Sequence, residues 1–150
     1  MLQHIERKTL PYTQRQMFDL VADVGRYSEF APWCIASRIN SRESDSVFYA
    51  DLVVGYKLFR ERFSSKVILQ APELIEIEYL RGPLKHLKNR WEFIAEPDGS
   101  CTIDFSVEFE FQNSMLHGIA KVFFHEVIRR MVSAFEARAQ QLYGENRSVP

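Results

Sequence analysis

The chain has 150 residues, 46% hydrophobic and 26% charged, with a formal net charge of −1 at pH 7. That balance excludes the strong general attraction to nucleic acid of a basic domain, and no stretch approaches the roughly 18 apolar residues of a membrane-spanning helix. The size fits a single domain over residues 1–150, with a full core and no need of staples.

The opening residues MLQHIERKTLPYT lack the apolar run of a signal peptide. They predict a cytoplasmic chain, or one lying against a membrane from the cytoplasmic side. Residues 2–10 alternate weakly and predict a first strand, which Pro11 stops. Thr13 and Gln16 form a capping box ahead of Met17, Phe18, Leu20 and Val21, so a short helix is expected from about residue 14 to 23. Gly25 breaks it, and Tyr27 to Phe30 predict another helical turn that Pro32 ends. Phe30-Ala31-Pro32-Trp33-Cys34 is then an apolar loop, although loops normally face water. Cys34 and Cys101 fit no CxxC or zinc spacing and read as free thiols.

From Ile35 the period changes to two. Phe48, Ala50, Leu52, Val54 and Tyr56 share one face of a strand over 46–56, and Phe63, Ser65, Val67 and Leu69 share one face of the next, over 61–70. Lys57 and Glu61 flank the turn between them and read as a solvated pair. After Ala71-Pro72, Ile75, Ile77 and Tyr79 stand opposite Glu76 and Glu78. Gly82-Pro83 is a loop signal. The basic run Lys85, His86, Lys88 and Arg90 reads as a wet loop, with contact to anionic lipid or ribosomal RNA as the alternative. Trp91, Phe93 and Ala95 alternate with Glu92, Ile94 and Glu96 ahead of the Pro97-Asp98-Gly99 turn. Ile103, Phe105, Val107, Phe109 and Phe111 then alternate with polar residues from Thr102 to Gln112, which gives one dry face and one wet face.

Met115 to Leu142 carries apolar residues every three or four positions, the period of an amphipathic helix about 40 Å long. Ser114 is its expected N-cap and Gly144 its expected left-handed C-terminal residue. Seven of its first ten residues are apolar (Met115, Leu116, Ile119, Ala120, Val122, Phe123 and Phe124), more than one sheet-facing stripe needs. Something besides one sheet face has to meet that half. The tail 145–150 is polar and expected to fray. Six or seven antiparallel strands with one long helix define an α+β architecture, a curved sheet wrapped around the C-terminal helix. The space left between them has the form of a small-molecule pocket.

Several stretches then match a known pattern in order along nearly the whole chain. They are Val24-Gly25-Arg26-Tyr27-Ser28-Glu29-Phe30-Ala31-Pro32-Trp33-Cys34, Leu52-Val53-Val54-Gly55-Tyr56-Lys57 and Glu61-Arg62-Phe63-Ser64-Ser65. Gly82-Pro83-Leu84-Lys85-His86-Leu87, Trp91-Glu92-Phe93, Phe109-Glu110-Phe111 and Ala134-Phe135-Glu136-Ala137-Arg138-Ala139 complete the set. The chain resembles the coenzyme Q-binding proteins of the polyketide cyclase/dehydrase group, within the START-like, helix-grip superfamily. The same branch includes a bacterial ribosome-association toxin. Phe59 departs from the pattern where a glycine is commoner, and Leu84 where a phenylalanine is.

The resemblance implies a carrier of ubiquinone (coenzyme Q) or a similar isoprenoid lipid in respiration or quinone synthesis, with no catalysis and no cofactor beyond the bound lipid. It leaves as rivals a ribosome-associated regulator that blocks subunit association and an aromatase/cyclase-type enzyme. The candidate ligand-binding residues are Trp33, Tyr56, Phe63, Ser65, Tyr79, Trp91, Phe93, Phe105, Phe109, Phe124, Ile128 and Met131. Trp91, Phe93, Phe105, Val107 and Phe109 are expected to line a cavity against Phe124, Ile128, Met131 and Phe135. Tyr56, Ser65 and Tyr79 place hydroxyls on an apolar inner face, where a quinone oxygen, water or backbone can satisfy them. His125-Glu126 opens like a zincin helix, but Arg129 stands where the second histidine belongs, so no metal site is expected. His86 and His117 read as solvated and structural, respectively. An apolar rim of Ala31-Pro32-Trp33, Gly82-Pro83-Leu84 and the first half of the long helix suits peripheral membrane contact; burial under the short helices, or a weak dimer in place of a monomer, is the alternative.

Overall fold

Alternation of dry and wet side chains builds a single sheet here. The computed structural model describes residues 1–56 and 59–144. Seven antiparallel strands, β1 (Leu2–Leu10), β2 (Cys34–Arg42), β3 (Val47–Tyr56), β4 (Phe59–Gln70), β5 (Leu74–Arg81), β6 (Leu84–Ala95) and β7 (Cys101–Phe111), lie in the order β1-β7-β6-β5-β4-β3-β2. Two helices, α1 (Gln14–Ala22) and α2 (Ser114–Ala139), pack on the dry face, and a 3₁₀ helix (Val24–Glu29) links α1 to β2. This is the helix-grip arrangement expected from the alternation and from the long C-terminal period.

The dry face buries Phe48, Ala50, Val67, Ile75, Trp91, Phe93, Ile103, Phe105 and Val107. The wet face sets opposite charges in register. Lys88 stands across from Glu78 and Glu108, and Arg90 across from Glu76. Lys85 lies 3.2 Å from Glu110, and its hydrogen bond and charge hold that carboxyl below its usual range. The basic run is therefore not a loop but the outer face of β6, neutralised by acids on both neighbouring strands. Its alternation is hidden in the sequence by a bulge between Leu84 and His86, which shifts the parity.

Two helix ends differ from expectation. Asn113, one residue before Ser114, caps α2, its side-chain oxygen accepting from the Met115 and Leu116 N–H groups at 2.8 and 3.1 Å. At the other end α2 runs on into a π turn, Gln140–Gly144, and Gly144 is not left-handed. A Cβ there would lie 2.9 Å from Cγ of the exposed Gln140 side chain, which would have to turn aside to admit it.

One end of the grip is closed. The Thr13–Gln16 capping box starts α1 as expected, and α1 buries Met17, Phe18, Leu20 and Val21. Phe18 meets Phe93 edge-on at 5.6 Å. On α2, Phe135 stands edge-on to Tyr27 and Phe30 at 5.2 and 5.0 Å and touches Trp91 at 5.1 Å. The Tyr27 hydroxyl donates to the Val21 carbonyl, and burial pushes its phenol well above the ordinary range.

Both sheet edges are irregular or charged. β1 turns His4, Glu6 and Lys8 toward α2. There Lys8 pairs with Glu136 at 2.6 Å, and His4 lies 2.9 Å from Glu6 and 3.2 Å from His125. β2, the opposite edge, carries two register shifts against β3.

The turn between β5 and β6 requires its glycine. Gly82 has φ +148, and a Cβ would sit 2.9 Å from both the Arg62 carbonyl oxygen and the Tyr79 hydroxyl. Gly82→Ala is expected to lower stability by about 1–3 kcal/mol. A urea midpoint equal to that of the parent protein would refute the constraint.

Candidate functional site

The opposite end of the grip is open. Between the first half of α2 and the sheet lies a cavity of about 380 Å³, within the range of small-molecule sites. Seven of its walls come from α2: Leu116, Ile119, Ala120, Phe123, Phe124, Val127 and Ile128. The sheet adds Val54 from β3, Phe59 from β4, and Phe109 and Phe111 from β7, and Trp33 comes from the loop before β2. The phenylalanines form a connected frame, with ring centres 5.0 Å apart for Phe109–Phe124, 5.6 Å for Phe109–Phe111 and 6.1 Å for Phe59–Phe111. Ile119 and Phe123 are each about half exposed and mark the mouth.

Trp33 enters this wall in a left-handed conformation, φ 64, the only non-glycine residue to do so among the described residues. That geometry costs a bulky L residue roughly 1–2 kcal/mol. It persists only where the surroundings hold it. Here the Trp33 carbonyl accepts the Gly55 N–H at 2.8 Å, tying the loop to β3.

Four of the twelve candidate residues meet at the cavity: Trp33, Phe109, Phe124 and Ile128. Trp91, Phe93 and Phe105 do not line it. They pack at the closed end, with Trp91 and Phe105 ring centres 4.7 Å apart, where the remaining void is only about 20 Å³. Such a void has room for about one water. Val107, Met131 and Phe135 also lie outside the cavity wall, so the expected lining is corrected. The first turns of α2, Leu116 to Ile128, rather than the middle ones bound the space. Phe63 and Ser65 stand half-buried opposite Leu52 and Ala50, away from the wall. Tyr79 spends its hydroxyl locally, accepting the Leu84 N–H at 2.9 Å. The side chain of Tyr56, like Lys57, lies outside the described residues.

Val54, Phe59, Phe111, Leu116, Ile119, Ala120, Phe123 and Val127 were not among the candidates. The available signal was the crowded apolar first half of α2, which the periodicity flagged without showing what meets it. The expected rim is corrected too. Leu84 is only 4% exposed and belongs to the interior.

None of the described lining side chains is titratable. Nearby, His117 Nδ1 accepts the Phe111 N–H at 3.4 Å, a structural bond at the start of α2. Among the described residues no group of three His, Cys, Asp or Glu is placed to hold a metal ion, and no helix is long and apolar enough to cross a membrane.

A curved sheet gripping one long helix, with an apolar cavity at the open end, defines a START-like, helix-grip domain. The family model described as "Polyketide cyclase / dehydrase and lipid transport" matches residues 10–136, and the chain belongs to that family. It is 37% identical over 142 residues to a "Ribosome association toxin RatA" of Pseudomonas aeruginosa, covering 94% of this chain and 98% of the relative. It is also 37% identical over 148 residues to a "Coenzyme Q-binding protein COQ10 homolog B, mitochondrial" of Xenopus laevis, covering 95% of this chain but 60% of that protein. The solution structure of the 18 kDa protein CC1736 from Caulobacter crescentus is 35% identical with a TM-score of 0.78, covering 96% of this chain and 99% of that one. An aromatase/cyclase structure from Streptomyces sp. R1128 has a TM-score of 0.81 at 13% identity, covering 93% and 94%, and shows the fold alone.

Proposed function

We propose that the protein is a non-catalytic carrier of an isoprenoid quinone, ubiquinone in the first instance, held in the cavity between α2 and the open end of the sheet. The observation that carries this reading is the twelve-residue lining, every member of it apolar. Such a surface stabilises a hydrocarbon chain by its removal from water, at about 25 cal/mol per Å² buried. The described lining offers no general acid or base to a substrate. The relative named as a coenzyme Q-binding protein supports the choice of ligand. The carrier would work on the cytoplasmic side of a membrane.

Mass spectrometry of organic extracts from the natively purified protein tests the proposal. A prenylated quinone in stoichiometric amount is the expected result. Extracts free of isoprenoid lipid, together with no uptake of added ubiquinone, would sink it.

A second reading is kept because the Pseudomonas relative is named a ribosome association toxin over nearly its full length. Co-sedimentation with ribosomal subunits separates it from the first. The wet face, with Lys88 and Arg90 matched by Glu76, Glu78 and Glu108, gives RNA little net positive field.

Single replacement of His86, His117 or His125 by Gln is expected to leave quinone affinity within a few-fold of the parent, since none of the three lines the cavity. Fluorescence titration with a short-chain ubiquinone checks it. Complete loss in a variant with an intact circular dichroism spectrum would show that a histidine is indispensable.

A further inference from the structure

The face of α2 turned away from the sheet changes character halfway along. Over the first three turns it presents Met115, Ile119, Val122 and Phe123, which are 74%, 52%, 74% and 49% exposed. From there the same face carries Glu126, Arg129 and Arg130, all exposed. An amphipathic helix normally keeps that face polar throughout. The second cover expected for this half of the helix is not supplied by any described residue of the chain.

The charges around the stripe have one dominant sign. No Asp or Glu occurs from residue 111 to 125. Lys121 flanks the apolar turns, and Arg129 and Arg130 follow them. Glu126 is the single acid, and it is paired with Arg130 at 3.3 Å. The stripe is also continuous with the cavity, because Ile119 and Phe123 belong to both the exposed face and the lining.

We infer that the first three turns of α2 are the surface by which the protein docks on an anionic lipid bilayer, with Lys121, Arg129 and Arg130 against the headgroups and the cavity mouth opening into the acyl region. The inference rests on the carrier reading and names where the carrier loads. Apolar side chains on one helical face with cations beside them form an interfacial anchor, and anionic headgroups attract such cations. A bilayer also accounts for the continuity of the stripe with the cavity. A prenyl chain passing over Ile119 and Phe123 stays in contact with hydrocarbon from membrane to pocket.

Vesicle flotation tests the surface. The intact protein is expected to float with vesicles of equal parts phosphatidylcholine and phosphatidylglycerol, and less with phosphatidylcholine alone. Met115→Glu combined with Val122→Glu alters two exposed positions outside the cavity wall. The double variant is expected to lose flotation about tenfold or more while titrating with short-chain ubiquinone as the parent does. Lys121→Glu with Arg129→Glu is expected to remove the preference for anionic vesicles. Circular dichroism of both variants shows that the fold stands.

Equal flotation of the parent and the Met115/Val122 variant would overturn the inference, as would failure of the parent to float. It falls equally if sedimentation equilibrium shows a dimer that the double variant dissociates, or if ribosome co-sedimentation is what the variant loses, with no flotation in either case. A protein that floats but takes up no quinone leaves the docking surface standing and removes the carrier reading instead.

Discussion

Ala120→Trp is expected to yield a folded protein that carries no lipid. Ala120 stands on the cavity wall of α2, among Leu116, Phe123 and Phe124. An indole there occupies the space a ligand needs. The cost to stability is that of moderate overpacking, about 1–3 kcal/mol. Affinity falls as well, because apolar contact is all that the described lining offers. A drop of about 30-fold or more in ubiquinone affinity is expected, equivalent to about 2 kcal/mol. Titration and extract mass spectrometry read the first effect, and thermal melting the second. An Ala120→Trp variant that binds quinone as the parent does would place the ligand elsewhere in the molecule.

The closed end responds in the opposite way. Phe135→Ala removes the ring that joins Tyr27, Phe30 and Trp91 and leaves a void among three aromatic partners. Substitutions of this kind cost about 3–5 kcal/mol. For a chain of this length each kcal/mol lowers Tm by about 2–4 °C, so a fall of about 10 °C is expected. Phe123→Ala, at a half-exposed ring on the mouth, is expected to move Tm by no more than a few degrees. Differential scanning calorimetry of the two variants in delipidated form makes the comparison. Similar Tm values would show that the closed end is not the stabilising half.

The contrast between the two ends marks what could be read from the residues alone. The dry and wet faces of β7 were legible because period two is local. The capping box at Thr13 and Gln16 was legible because its two bonds span three residues. Which end of the grip stands open was not legible. Periodicity identifies the face of α2 that meets the sheet, but the distance between helix and sheet depends on packing between residues far apart in the chain. Trp91, Phe105 and Phe109 share one parity, yet only Phe109 reaches the cavity. Trp33 in a left-handed loop left no trace in composition, because such a conformation follows from its tie to Gly55 rather than from its own preference. The first half of the strand over Leu84–Ala95 was masked by Gly82-Pro83 and by a bulge that breaks its alternation, while Trp91 to Ala95 was legible.

The two sheet edges carry a consequence for self-assembly. An open row of backbone donors and acceptors invites another chain to add a strand, and inward charges and bulges discourage it. Glu6 and Lys8 supply the charges on β1, and the register shifts at Cys34/Ala36 and Ile39/Ser41 bend β2. Growth of fibrils or ribbons by edge pairing is thereby disfavoured at both sides of the sheet. Exposed apolar side chains cluster on the first turns of α2, where contact between two helices buries the same limited patch on each and then has nowhere to propagate. Overexpressed without a membrane to receive it, this protein is expected to form small oligomers that detergent disperses, not amyloid-like aggregates.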